Sequence, residues 1–231
     1  MQNGVTHQVW PVRDAGMIRR LQEAFRAVPA LYIADGHHRA ASSCRVASAL
    51  NADDTAEAGR FMVAAFPADD LSLLGYHRYV KDLAGMSEEE FLKRVAESFD
   101  LAECSESRMP EAPHEIILCM KGTSYVLTPH SDRYDASDSI SRLDVSILQN
   151  SLLAPVLGIQ DPRTDKRISF VGGQGAGDDV RALSASDGVG FILYPTDIHD
   201  LISVADDKRI MPPKSTWFEP KLLSGLFVHQ I

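Results

Sequence analysis

The chain has 231 residues, 45% of them hydrophobic, and a formal net charge of −9. That is enough for one large domain or two small ones with a continuous core. The acidic balance disfavours an electrostatic grip on nucleic acid, which depends on cations displacing counterions from phosphates. No apolar run approaches the ~18 residues needed to cross a bilayer. Cys44, Cys104 and Cys119 fit neither a disulfide framework nor zinc-ligand spacing, so no metal site is expected from them. With no cationic leader after Met1, a cytoplasmic protein is expected.

In chain order, Val5–Val12 has strand-like composition, and Asp14 is placed to cap a helix carrying Met17, Ile18, Leu21, Phe25 and Val28. The arginines of that helix, Arg13, Arg19, Arg20 and Arg26, read as a solvated face. Leu31-Tyr32-Ile33-Ala34 reads as a short buried strand, followed by Gly36 and a helix rich in small residues through about Leu50. Phe61–Phe66 reads as a second buried strand, and Leu71–Val80 as a third with Gly75 marking a bulge or close approach.

Ser87 with Glu90 predicts a capping box opening a helix with Phe91, Leu92, Val95 and Phe99. His114–Met120 and Tyr125–Thr128 predict a hairpin around Lys121-Gly122-Thr123-Ser124. The polar stretch Pro129–Ser139 reads as a linker or loop. Beyond it, Ile140–Leu157 and Thr196–Ala205 read as helices, and Arg167–Val171 and Gly190–Tyr194 as strands. Without strict strand-helix alternation, the pattern predicts an α+β fold with a mixed sheet and packed helices. Residues 1–128 are expected to form a phosphate-binding region, with residues 129–231 as a C-terminal α/β region packed on it or continuous with it.

The segment richest in chemistry is Asp35-Gly36-His37-His38-Arg39. A tight glycine turn ahead of a helix presents unpaired backbone N–H groups and partial positive charge, which together favour an anion. Gly36 permits the turn, Arg39 offers a planar fork for phosphate, and His37 and His38 donate hydrogen bonds or move protons. Asp35 is placed to accept a proton or hold a metal ion on phosphates. The bland reading has Asp35 capping the helix and Arg39 pairing with a surface carboxylate.

A second segment, Pro212–Lys221, sets Lys214, Ser215 and Thr216 between prolines, where they would meet a phosphate or serve as a rigid connection. Gly172–Gly177 misses dinucleotide-loop spacing and reads as an ordinary loop. Tyr76-His77-Arg78-Tyr79 is a third candidate: with its strand beside the Asp35 strand, His77 or Arg78 would project into the same pocket, while the bland reading has alternation put one of them in solvent. Asp144 reads as a helix-surface charge, and Asp161-Arg163-Asp165 as a loop ion pair.

The run Tyr32–Arg39, with Leu143–Leu148 and Met211–Lys221, resembles the bacterial and archaeal family DUF1015, whose activity is not established. The resemblance covers essentially the whole chain and implies the C-terminal portion of a longer family member or a truncated member. The Asp-Gly-His-His-Arg turn is also similar to the signature turn of the ParB and sulfiredoxin superfamily, which includes partition proteins that use CTP, sulfiredoxin and a free-serine kinase. That similarity implies a ParB/sulfiredoxin-like strand-turn-helix core that binds ATP, ADP or CTP with Mg²⁺, and phosphoryl transfer to a small hydroxylated molecule.

Two departures stand beside it. Such kinases use a carboxylate upstream of the turn as a base, and only Asp14 and Glu23 precede Asp35; sulfiredoxin chemistry needs a cysteine in the turn, and the nearest is Cys44. The competing expectation is a non-catalytic regulatory or protein-interaction module. Neither reading sets an oligomeric state.

Overall fold

The structure is a computed structural model and describes residues 6–221 and 225–230. Among the described residues, eight strands and six α-helices follow in the order α1 (Ala15–Arg26), α2 (His37–Ala49), β1 (Ser72–Leu74), β2 (Tyr76–Val80), α3 (Glu88–Val95), β3 (Phe99–Cys104), β4 (Ile116–Met120), β5 (Thr123–Pro129), α4 (Asp144–Leu148), β6 (Ile168–Gly172), α5 (Ala176–Ser184), β7 (Val189–Leu193), α6 (Ile198–Asp206) and β8 (Trp217–Glu219). The α+β class holds. Six strands form one sheet in the order β3-β5-β4-β7-β2-β6, and β1 pairs with β8 in a separate ribbon. Among the described residues every pairing is antiparallel, where the sequence led us to expect a mixed sheet.

Local chemistry builds these elements. Ser87 Oγ accepts from the Glu90 N–H at 3.2 Å and starts α3, which buries Phe91 and Val95. Lys121 and Gly122 both take positive φ, so β4 turns directly into β5 through a two-residue connection. Gly75 separates β1 from β2, and a Cβ there would come within 2.8 Å of the Leu193 carbonyl oxygen. The core lies on one sheet face, where Phe91, Val95, Ile147, Leu148 and Val204 of the helices meet Ile116, Leu118 and Phe191 of the strands. On the other face, Val180 of α5 packs on Ile117, Cys119 and Ile192. No described helix is long and apolar enough to cross a membrane.

Several expectations fail. Val5 lies outside the described residues, and within 6–12, Leu31–Ala34 and Phe61–Phe66 the structure has no strand. A strand is stable only when its backbone groups find a neighbouring strand, and the sheet takes all its strands from residues 76–193. These runs therefore stay outside the sheet and exposed: Trp10 at 74%, Leu31 at 62% and Val63 at 58%. Helix α1 forms as expected, with Asp14 Oδ1 accepting from Met17 N–H at 2.7 Å, yet none of its residues is buried. Phe99 begins β3 instead of ending a helix. The glycine run 172–177 leads from β6 into α5, with Gly175 in the left-handed region as its N-cap. The acidic first turn of α5, with Asp178 and Asp179, suits that helix dipole.

Candidate functional site

The Asp35–Arg39 turn forms without a strand before it. Gly36 sits at φ +90, a left-handed conformation that glycine adopts without strain, and caps α2 with no side-chain hydrogen bond to the helix. The first intrahelical bond is Ala40 N–H to the Gly36 carbonyl at 3.0 Å. The opening N–H groups of α2 are therefore left for an outside acceptor.

Arg39 folds back over this opening: its guanidinium Nη2 lies 3.1 Å from where a Cβ on Gly36 would sit. Its Nη2 also lies 3.6 Å from Asp35 Oδ2, with both side chains largely exposed. His37 is exposed on the first turn; the side chain of His38 lies outside the described residues. One phenolic contact ties this segment to the sheet domain, as Tyr32 donates to Asp206 at the end of α6 at 2.8 Å.

Beside the turn runs a cleft of about 290 Å³, lined by Arg39, Ser42, Ser43 and Val46 of α2 and by Arg60, Phe61 and His229 among others. Glu57 pairs with Arg60 at 3.6 Å and with His229 at 2.9 Å, so part of the cation charge is already met.

Lys214, Ser215 and Thr216 lie elsewhere, and among the described residues no hydrogen bond or ion pair joins them to the turn. Lys214 has φ +58 and holds its ammonium 5.6 Å from the centre of the Tyr76 ring. Ser215 is buried; its hydroxyl donates to the Pro212 carbonyl at 2.6 Å, and its carbonyl accepts from Thr196 Oγ1 at 3.0 Å. Thr216 is half-buried before β8. Arg78 anchors this segment, donating to the Lys214 carbonyl at 2.9 Å and to the Tyr76 carbonyl, with its guanidinium carbon 5.4 Å from the centre of the Phe170 ring.

Both His77 and Arg78 are buried, each 4% exposed, against the alternation expected of the strand. Strand β2 is interior to the sheet, between β7 and β6, and α5 covers its second face, so neither side points to water. Burial pushes the Arg78 guanidinium down to about 9, since among the described residues no carboxylate pairs with it, and pushes His77 down to about 4.

Asp144 also departs from the surface-charge reading. It is partly enclosed at the start of α4, accepts from the His114 backbone N–H at 2.9 Å, and burial raises its carboxyl to about 6. The sequence carries no signal for this, because the partner is 30 residues away. The Asp161–Arg163 pair forms at 2.9 Å as expected, and Asp165 pairs with Arg167 at 2.9 Å. Among the described residues, no three His, Cys, Asp or Glu side chains gather as a metal site.

The fold is thus an antiparallel α+β sheet domain preceded by a glycine-capped, arginine-covered helix start. The DUF1015 profile, described as a protein of unknown function, matches residues 1–146, and the chain belongs to that family. No curated protein matches the sequence. Among solved structures, a free serine kinase variant in complex with ADP is 14% identical with a TM-score of 0.46, over 80% of this chain and 66% of that one. The chain thus spans just under two thirds of that kinase's length. SbnI with a C-terminal truncation, from Staphylococcus aureus, is 17% identical with a TM-score of 0.47, over 94% and 80%. A conserved hypothetical protein from Pyrococcus furiosus is 14% identical with a TM-score of 0.45, over 80% and 68%.

Proposed function

We propose that the chain binds a nucleotide or phosphorylated small molecule at the Asp35–Arg39 turn and serves phosphoryl transfer to a small hydroxylated molecule. The observation that carries this reading is the uncapped start of α2 with the Arg39 guanidinium folded over Gly36. Backbone donors and a planar cation then converge on one point, the arrangement that suits a phosphate.

In this reading the N–H groups of His37, His38 and Arg39 cradle the phosphate, and Arg39 turns from Asp35 to its oxygens. That releases Asp35 to accept the proton of a substrate hydroxyl or to help hold Mg²⁺. ATP or CTP supplies the phosphoryl group when bound. Ser42 and Ser43 on the same cleft wall, with Arg60 across from them, extend the polar surface available to the rest of the ligand. Lys214, Ser215 and Thr216 enter the proposal as a second phosphate-contacting group, Lys214 as a point charge.

The test is a calorimetric titration of the chain with ADP and Mg²⁺, repeated for Arg39→Ala. Saturable heat that falls at least tenfold in affinity for the variant supports the reading. Equal affinity for both proteins removes the turn from it.

A further inference from the structure

Helix α1 is amphipathic, yet none of its residues is buried. Met17, Ile18, Leu21 and Phe25 recur at helical spacing and stay between 38% and 51% exposed. Val28 just past the helix, and Val9, Trp10 and Val12 ahead of it, are exposed as well. Apolar side chains gathered on one exposed helix face mark a contact surface.

The placement of charge selects what covers it. At a step of about 100° per residue, the four apolar side chains of α1 share a stripe about 100° wide. Arg20 flanks one edge of that stripe and Arg26 the other, while Glu23 stands at the back of the helix. Residues 9–28 carry Arg13, Arg19, Arg20 and Arg26 against Asp14 and Glu23, in a chain whose formal net charge is −9. The apolar stripe thus falls where the chain's charge reverses, and cations frame it. Two copies of α1 packed stripe to stripe would set those cations against each other. Antiparallel about a two-fold axis, Arg20 meets Arg20 and Arg26 meets Arg26; parallel, Arg20 meets Arg26. Neither arrangement brings a carboxylate to the seam, and like charges so placed oppose association. An anionic lipid surface meets both needs at once, with hydrocarbon for the stripe and phosphate for its edges.

We infer that α1 docks on an anionic lipid surface, with Met17, Ile18, Leu21 and Phe25 against the acyl chains and Arg20 and Arg26 at the headgroup phosphates. The arginine stems are long enough to lie along the apolar boundary while their guanidinium groups reach the phosphates. Trp10, exposed ahead of the helix, offers a largely apolar ring with one N–H donor, the character that suits the headgroup level. At 12 residues the helix lies in the interface and does not span it. The acidity of the rest of the chain is compatible with this contact, because at physiological salt charges beyond about 8 Å are largely screened. The surface is separate from the Asp35–Arg39 turn and does not rest on the nucleotide reading.

The test is co-sedimentation of the full chain with vesicles of equal parts phosphatidylglycerol and phosphatidylcholine, and with vesicles of phosphatidylcholine alone. The chain is expected to partition at least tenfold more strongly onto the anionic vesicles and to be released as salt is raised. Leu21→Ser with Phe25→Ser, and separately Arg20→Gln with Arg26→Gln, should each lower partitioning at least tenfold. Because none of these side chains is buried, both variants should keep the wild-type melting temperature. Sedimentation velocity without lipid tests the rival occupant: a dimer that Leu21→Ser with Phe25→Ser dissociates would assign the face to a second copy. That result, no pelleting with the anionic vesicles, equal pelleting with the neutral ones, or undiminished pelleting of either variant would each overturn the inference.

Discussion

Arg39 lies across Gly36 so closely that a methyl group on Gly36 would meet the guanidinium at 3.1 Å. The same glycine holds φ +90. Gly36→Ala therefore strains the turn by roughly 1–3 kcal/mol and displaces the arginine. Because the turn touches the sheet domain through Tyr32 and Asp206, the melting temperature of that domain should stay near wild type. ADP affinity should fall at least tenfold by calorimetry.

Asp144 ties stability to pH. Its folded-state carboxyl titrates near 6 against an ordinary value of 3.8, so the folded chain holds this proton more tightly than the unfolded chain. The contribution is fully present below about pH 4 and is lost as pH rises through about 6. Asp144→Asn should be more stable than wild type at neutral pH by roughly 2 kcal/mol. Denaturant midpoints measured from pH 4 to 8 will show it, with the two proteins converging at the acid end.

His77 acts in the opposite direction. Its imidazole is neutral and buried, titrating near 4 rather than 6.5, and its Nδ1 accepts from the Leu193 N–H at 3.2 Å. Here the unfolded chain takes the proton first, so stability is present above pH 6.5 and is lost as pH falls toward 4. His77→Leu strands the Leu193 donor and should cost about 1–3 kcal/mol at neutral pH. It should also flatten the acid side of the same denaturation profile.

Arg78 gives a fourth prediction through its 2.9 Å bond to the Lys214 carbonyl. Arg78→Met fills similar volume but releases the 212–216 segment, so trypsin should cut after Lys214 several-fold faster than in wild type. Peptide mapping over a time course reads this directly, and unchanged cleavage would mean that Arg78 does not hold the segment.

What the sequence made legible was local. The Ser87 cap, the Lys121-Gly122 turn, the Gly75 break and the Asp14 cap each depend on residues within four positions, and each formed. What stayed hidden depends on partners far along the chain. Leu31–Ala34 and Phe61–Phe66 have the composition of buried strands, but pairing is decided by a neighbouring strand, and here none is supplied. Phe99 continued the helical spacing of Phe91 and Val95, and only its pairing with Pro129 shows it to be a strand residue. The candidate turn was visible because its glycine and arginine sit three apart on one helix start. The enclosure of Asp144 was not, because its partner, the His114 N–H, lies 30 residues away.

The most direct test of the central claim is the calorimetric titration with ADP and Mg²⁺ at neutral pH, run on wild type and Arg39→Ala side by side. Saturable binding to wild type that weakens at least tenfold in the variant is the predicted result. Undiminished binding to Arg39→Ala, or none to the wild-type chain, would contradict a phosphate site at the Asp35–Arg39 turn.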